Sequence, residues 1–279
     1  KYHVWEQEAC GRLCLAQTKK LKRIVETVTG VIDIKDMGMS QITRDFLSLT
    51  KLLAEIDQNQ YPETLGRCFI INAPAAFPLV WRMVKPWLDP ATVAKIQVLG
   101  GPKEHIPVLV DFIGEENLPS NYGGTLPPLS PQVHPYAETM SLYPTAAPTI
   151  TAEPVAAVFD PEVLTYPYPE GATSNNGKHW LELSPASQTA LTAVEQWVAK
   201  DKVDLKKLGT ADIHPSLQLL RYLRANQFNP TKAIAHIQRN LEWRKTKDID
   251  ALILQRPEDI LGCSLEELTA VFPHWHSGY

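Results

Sequence analysis

Few side chains in this 279-residue sequence stand at the spacings that chemistry requires. His274 and His276 flank Trp275, but two histidines fall short of a zinc site, and no further ligand stands nearby at a suitable spacing. A structural or surface role suits them. Asp33 and Asp36 are close in sequence, yet they fall at a strand end and a turn, so a paired-carboxylate mechanism has only proximity in its favour. GxSxG, GxGxxG, the phosphate-binding loop and HExxH are all absent. The four cysteines, Cys10, Cys14, Cys68 and Cys263, form no CxxC pair and read as buried free thiols of a reducing compartment. No enzyme, no metal and no cofactor is expected.

The elements around these residues say more. Arg67 to Asn72 is a short apolar run bounded by Gly66 and Pro74, the pattern of a buried strand. Phe77 to Leu88 carries Phe77, Val80, Trp81, Val84 and Leu88 on one helical face, and Asp89-Pro90 is expected to stop it. Lys95 to Leu99 is a second apolar strand ending at Gly100-Gly101. A helix between two apolar strands points to a βαβ crossover and a parallel sheet. Upstream, residues 3–23 read as a helix and Val25 to Ile34 as a strand interrupted by Gly30. Ser40 to Asp57 reads as a helix capped by Ser40, with Ile42, Phe46, Leu49, Leu53 and Ile56 on one face. A helix near Pro107 to Ile113 follows, then a loop through Pro119 and Gly123-Gly124. The run Lys19-Lys20-Leu21-Lys22-Arg23 suits a solvated helix end beside the negative end of the dipole; a contact with anionic lipid headgroups is the alternative.

Composition changes at residue 127. Residues 127–177 hold many prolines, several acids and no Lys or Arg, and read as an extended or partly disordered linker; whether its tyrosines and Leu164 dock is open. From Ser184 the pattern is helical again. Ser184 and Asn229 stand as caps before Pro185 and Pro230, Leu217, Leu220 and Leu223 mark a helix from Pro215 to Asn226, and Ala233, Ile234, Ile237 and Leu241 mark another. Ser264 and Glu267 form a capping-box pattern. The net charge of −4 sets up no field favouring nucleic acid, and no apolar run reaches transmembrane length.

The spaced residues YPE…G…FIINAP…F…W…KP.LDP.TV.KI..LG between Tyr61 and Gly100, with Glu116-Asn117-Leu118-Pro119, Tyr122-Gly123-Gly124 and VETVTGVIDIKDMG at 25–38, resemble the Sec14-like, or CRAL-TRIO, lipid-binding domain over about residues 1–126. LLRYLRANQFNPTKAIAHIQRNLEWRK at 219–245 resembles the helical lobe that precedes the lipid lobe in that family, and VFPHWHSGY at 271–279 resembles the segment just after it. The fold class is therefore α/β, a mostly parallel sheet with flanking helices, plus an all-α lobe. Three portions result: 1–126, the C-terminal part of a lipid-binding lobe; 127–177, a linker; and 178–279, a helical lobe and the start of a second lipid lobe. The inverted order implies a fragment of a tandem-repeat protein, with circular permutation as the runner-up and the first strands of the lipid lobe missing in both cases.

The resemblance also implies roles. Glu63 matches the carboxylate that binds inositol hydroxyls, and Thr92 and Lys95 match the residues that hold the inositol phosphate. Ile32, Trp81, Val84, Ile96 and Val98 match positions lining the acyl-chain space. The segment with Phe77, Trp81 and Trp87 matches the gating helix over that space. A carboxylate accepts hydroxyl donors and an ammonium pairs with a phosphodiester, so the chemistry is coherent; the plain alternative is an ion pair between Glu63 and Lys95 or solvation of each. Two departures stand out. Val28 and Gly30 replace hydroxyl side chains of the choline-lipid binders, which favours phosphatidylinositol or another hydrophobic ligand. Asn226-Gln227 replaces a basic pair in the helical lobe. The implied protein is a cytoplasmic phosphatidylinositol carrier that meets a membrane surface transiently and binds no nucleic acid. The alternatives are a membrane-targeting or protein-interaction module without transfer, and a carrier of another hydrophobic ligand.

Overall fold

A computed structural model describes residues 1–21, 24–128, 183–209, 215–264 and 267. Strands β1 (Val28–Asp33), β2 (Leu65–Ile71) and β3 (Ile96–Val98) form a parallel sheet in the order β1-β2-β3. Helix α1 (Tyr2–Leu21) precedes it, α2 (Arg44–Gln60) joins β1 to β2, α3 (Phe77–Val84) and α4 (Pro90–Lys95) join β2 to β3, and α5 (Pro102–Ile113) follows. Both crossovers step the same way along the sheet. Right-handed connections then place α2, α3 and α4 on one face. The other face packs on α5.

The register decides which side chains share a face. Val31 stands beside Phe69, and Ile32 beside Ile70 and Val98; Gly30, Cys68 and Ile96 form the next row. Side chains alternate along each strand, so Phe69, Ile71 and Leu99 point one way, into a core with Leu109 of α5 and Leu118. Gly30, Ile32, Cys68, Ile70, Ile96 and Val98 point the other way. The loop after α5 returns tightly on itself: a Cβ at Gly124 would stand 1.9 Å from the Leu118 carbonyl oxygen, so only glycine fits the YGG turn.

Several expected boundaries move, each for a local reason. Thr43, not Ser40, caps α2, its hydroxyl accepting from Phe46 N–H, while Ser40 lies in a 3-10 turn over Met39–Gln41. The single helix expected over 77–88 ends at Val84 and tightens into a 3-10 turn, Lys85–Trp87, because Pro86 has no N–H to continue the ladder. Asp89-Pro90 does not merely stop a helix. The Asp89 carboxylate caps α4 and Pro90 takes its first position. Helix α5 starts at Pro102, ahead of the expected Pro107, which it carries inside.

The helical portion comprises α6 (Pro185–Asp201), α7 (Pro215–Ala225), α8 (Pro230–Lys247), α9 (Ile249–Leu252) and α10 (Pro257–Leu261). The caps at Ser184 and Asn229 form as expected. Val194, Leu219, Leu223, Ala233 and Ile237 make its core. The short helices α9 and α10 were not legible beforehand. Ser264 and Glu267 make the reciprocal capping-box bonds. The linker from residue 129 on (with Leu164), Lys22 and Arg23 of the basic run, and residues 271–279 with His274 and His276 lie outside the described residues.

This portion packs directly on the first one. Arg244 of α8 donates to Glu8 of α1 at 2.5 Å, with both side chains buried. Glu26, just before β1, accepts from Arg224 at 3.0 Å, and its backbone carbonyl accepts from Arg221. Trp5 Nε1 donates to the Gln255 carbonyl. Val4, Ile249 and Leu252 close an apolar cluster across the same seam, with Ile56, Tyr61 and Trp243 against it.

Candidate functional site

Glu63 and Lys95, placed far apart in sequence, meet at the N-terminal ends of β2 and β3. Lys95 Nζ donates to Glu63 Oε2 at 3.0 Å, and the side chains are only 12% and 24% exposed, respectively. Lys95 is the last residue of α4 and runs straight into Ile96, which pairs with Cys68 and, through it, with Gly30. Glu63 sits in the turn between α2 and β2 with φ of 58°. That left-handed conformation costs a non-glycine residue about 1–2 kcal/mol, which the anchoring of the turn must offset. Pro62 is buried, and the Thr64 hydroxyl donates to the Tyr61 carbonyl.

Thr92 lies one turn before Lys95 on α4. Its hydroxyl donates to Asp89 Oδ2 at 2.6 Å, while its N–H donates to Asp89 Oδ1 at 2.8 Å. Asp89 N–H in turn donates to Gln58 Oε1 at 2.7 Å, and Gln58 Nε2 donates to the Trp87 carbonyl. One glutamine near the end of α2 thus fixes the turn that aims α4. In this arrangement the groups are satisfied internally: carboxylate against ammonium, hydroxyl against the cap.

The structure places Ile32, Ile96 and Val98 together on the sheet face away from α5. Trp81 and Val84 are half-buried on α3, beside the buried Phe77 and Val80, whereas Trp87 lies in the following 3-10 turn. Apolar groups on β1, α2 and α3 are left in solvent: Ile32 is 47% exposed, and Leu49, Leu52, Leu79 and Met83 are exposed as well. Leu49 belongs to the apolar stripe of α2, so that stripe is covered only in part. Gly30 leaves a hollow beside Cys68, whose Sγ would stand 3.9 Å from a Cβ at that position. Burial pushes the Cys68 thiol up to about 11, so it is a neutral, apolar wall.

Sequence reasoning missed Gln58, Asp89 and Ile70. Asp89 was legible in principle as an Asp-Pro cap three residues before Thr92. Gln58 and Ile70 depend on the turn and the register. The carboxylate Asp33 is structural: it accepts from Asn72 Nδ2, Lys35 N–H and the Tyr122 hydroxyl and ties the end of β1 to two loops. Burial, then the Asp33 bond, raises the Tyr122 hydroxyl to about 12. Among the described residues, no three His, Cys, Asp or Glu side chains gather as metal ligands, and no helix is long and apolar enough to cross a membrane.

Comparison with known proteins matches two stretches of the chain to known families. The CRAL/TRIO domain family matches residues 1–124, and the CRAL/TRIO, N-terminal domain matches residues 190–239. Residues 1–124 and 190–239 are thus of the Sec14-like CRAL-TRIO family. It is 39% identical over 133 residues to the phosphatidylinositol/phosphatidylcholine transfer protein SFH4 of Arabidopsis thaliana, covering 45% of this chain and 20% of that protein. It is 40% identical over 122 residues to the SEC14 cytosolic factor of Kluyveromyces lactis, covering 43% and 40%. It is 41% identical over 110 residues to the CRAL-TRIO domain-containing protein YKL091C of Saccharomyces cerevisiae, covering 39% and 34%. The matched stretch thus spans two fifths or less of each of these relatives. A crystal structure of Sfh5 overlaps 36% of this chain and 33% of its own at 25% identity and a TM-score of 0.30, too little to bear on the fold.

Proposed function

We propose that this chain binds and transfers an inositol phospholipid. The observation that carries the reading is the half-buried Glu63–Lys95 pair at 3.0 Å, set directly before the strand whose Ile96 and Val98 share an apolar sheet face with Ile32. A lipid phosphodiester displaces Glu63 from Lys95, and the freed carboxylate accepts inositol hydroxyls, so one headgroup satisfies both charges. Thr92 stands on the same face of α4, its oxygen steered by Asp89. The acyl chains lie along Ile32, Ile70, Ile96 and Val98 under α3, with Trp81 and Val84 as the cover. Each buried methylene contributes about 0.8 kcal/mol, enough for two chains to hold a lipid against water. Helix α3 is then the gate, and its exposed Leu79 and Met83 suit contact with a bilayer during exchange. Val28 and Gly30 offer a choline headgroup no hydroxyl, so the inositol lipid is the preferred cargo. The relatives named as transfer proteins of both lipids support the class of ligand. The site of action is a membrane surface reached from the cytoplasm.

The test is vesicle-to-vesicle transfer of phosphatidylinositol by this chain and by its Lys95→Ala and Glu63→Gln variants. Both variants are expected to lose most transfer; unchanged transfer by Lys95→Ala refutes the headgroup assignment. A second reading, a carrier of an uncharged hydrophobic ligand, is favoured by one observation: Glu63 and Lys95 neutralise each other, so such a ligand would leave them paired. Native mass spectrometry of co-purifying lipids separates the two.

A further inference from the structure

The turn that carries Glu63 is held from outside its own portion of the chain. Helix α2 ends at Gln60 with carbonyls that have no partner in the helix. His236 Nε2 of α8 lies 2.7 Å from the Asn59 carbonyl oxygen. Asn240 Nδ2 donates to the Gln60 carbonyl and to Gln60 Oε1, both at 2.9 Å. One turn further along α8, Arg244 donates to Glu8, and the same Glu8 oxygen accepts the Tyr61 hydroxyl at 2.9 Å. The Tyr61 ring meets Trp243 edge-on at 6.3 Å. His236, Asn240 and Arg244 are spaced at i, i+4 and i+8, so a single face of α8 reaches residues 59, 60 and 61 in turn. All three are buried. Buried polar groups are costly without partners, so this face has one good seat, the end of α2.

Glu63 lies two residues beyond Tyr61, in a backbone conformation that a glutamate does not hold by itself. We propose that His236, Asn240 and Arg244 are positioning residues for the headgroup site: through Asn59, Gln60 and the Glu8–Tyr61 bond, the helical portion sets where the Glu63 carboxylate stands relative to Lys95. This rests on the reading of Glu63 as a headgroup ligand. None of the three touches lipid. Their effect is selective because the apolar sheet face is built from other elements, and loosening the turn leaves the acyl-chain space in place. Docking of the helical portion and recognition of the headgroup are therefore coupled.

Two variants test this in the intact chain. Tyr61→Phe removes only the hydroxyl bond to Glu8, and Asn240→Ala removes only the grip on Gln60. Hydrogen–deuterium exchange of the amides of 61–65, residue 62 being a proline without one, is compared with that of 68–71, and uptake of dioleoyl phosphatidylinositol from vesicles with uptake of an NBD-labelled stearate that lacks the inositol headgroup. The expected result is a five- to tenfold rise in exchange confined to 61–65 and a loss of inositol-lipid affinity of about the same size, the worth of one buried hydrogen bond, with stearate uptake within about twofold. Equal losses for both ligands mean that the seam only holds the fold, and overturn the proposal; so does unchanged exchange at 61–65. If Asn240→Ala does not fold, Tyr61→Phe decides alone. If the unmodified chain takes up no phosphatidylinositol, the proposed function falls, and the exchange measurement by itself decides whether the helical portion holds this turn.

Discussion

The two faces of the three-stranded sheet are built from similar residues and end in opposite states. Toward α5, Phe69 is 1% exposed and packs with Ile71, Leu99, Leu109 and Leu118. On the other face Ile32 remains half in solvent, and α3 leaves Leu79 and Met83 exposed. Both faces alternate apolar residues with the same period, so hydrophobicity alone does not separate them. The difference lies in what each opposes. Helix α5 follows β3 through a short turn and is held to the sheet by Leu109, whereas α3 ends early, at Val84 ahead of Pro86, and leans on α2. One face is a core that stabilises the fold; the other has the makings of a surface for a ligand.

The comparison breaks most visibly at its closed side. Phe69→Ala is expected to cost about 3–5 kcal/mol by denaturant unfolding, the loss of a fully buried aromatic plus its cavity. Ile32→Ser is expected to cost less than about 1 kcal/mol, because much of that side chain is already wet, while lowering lipid loading. If the two variants destabilise alike, the faces are not different in kind. Next in size is the polar seam. Glu8→Ala leaves Arg244 buried without its partner and is expected to cost about 3 kcal/mol, showing that ion pairing as well as apolar contact closes this molecule. Glu63→Gln comes lower, within about 1 kcal/mol, since its partner Lys95 keeps some access to water. A large stability loss there would move the pair from the site to the scaffold.

The smallest effects are pH-dependent and have opposite signs. Burial, reinforced by the Arg239 charge, lowers the pKa of His236 despite its bond to the Asn59 carbonyl. A depressed histidine gives stability that is full above its unfolded value near 6.5 and is lost as pH falls through the lower folded value. Asn226 Nδ2 contacts His236 Nδ1, and the Tyr222 ring stands edge-on at 5.0 Å, so no acid from those neighbours offsets the added charge. His3 runs the other way. Burial disfavours its charge, but the Asp57 hydrogen bond and charge outweigh it and raise the pKa. Its contribution is full below 6.5 and is lost as pH rises through the raised value. Thermal melts from pH 5 to 8 should show His236→Gln flattening the acid side and His3→Gln flattening the alkaline side.

Much of the fold was readable one residue at a time. The apolar runs around β2 and β3, the αβ alternation and the helix caps at Ser184 and Asn229 are local signals, and they appear where expected. The errors were local as well. Pro86 tightened a helix end, and Thr43 outcompeted Ser40 because a cap depends on which residue actually enters the extended conformation. The pairing of Glu63 with Lys95 was legible only as an alternative, since it joins a turn and a helix end through the sheet. The seam between α8 and the end of α2 carried no local sign at all. His236, Asn240 and Arg244 stand out only once Asn59, Gln60 and Glu8 are brought against them.

By itself, then, the sequence determined most of the longer elements and that the strands run parallel, because periodicity and caps act over a few neighbouring residues, while the family showed through a resemblance of spaced motifs. Tertiary structure alone decided which sheet face closed, that the later helices seat on the earlier portion, and that the Glu63 turn is gripped by α8. Those outcomes follow from which buried polar groups find partners and which apolar groups find cover, and both depend on residues that are distant in the chain.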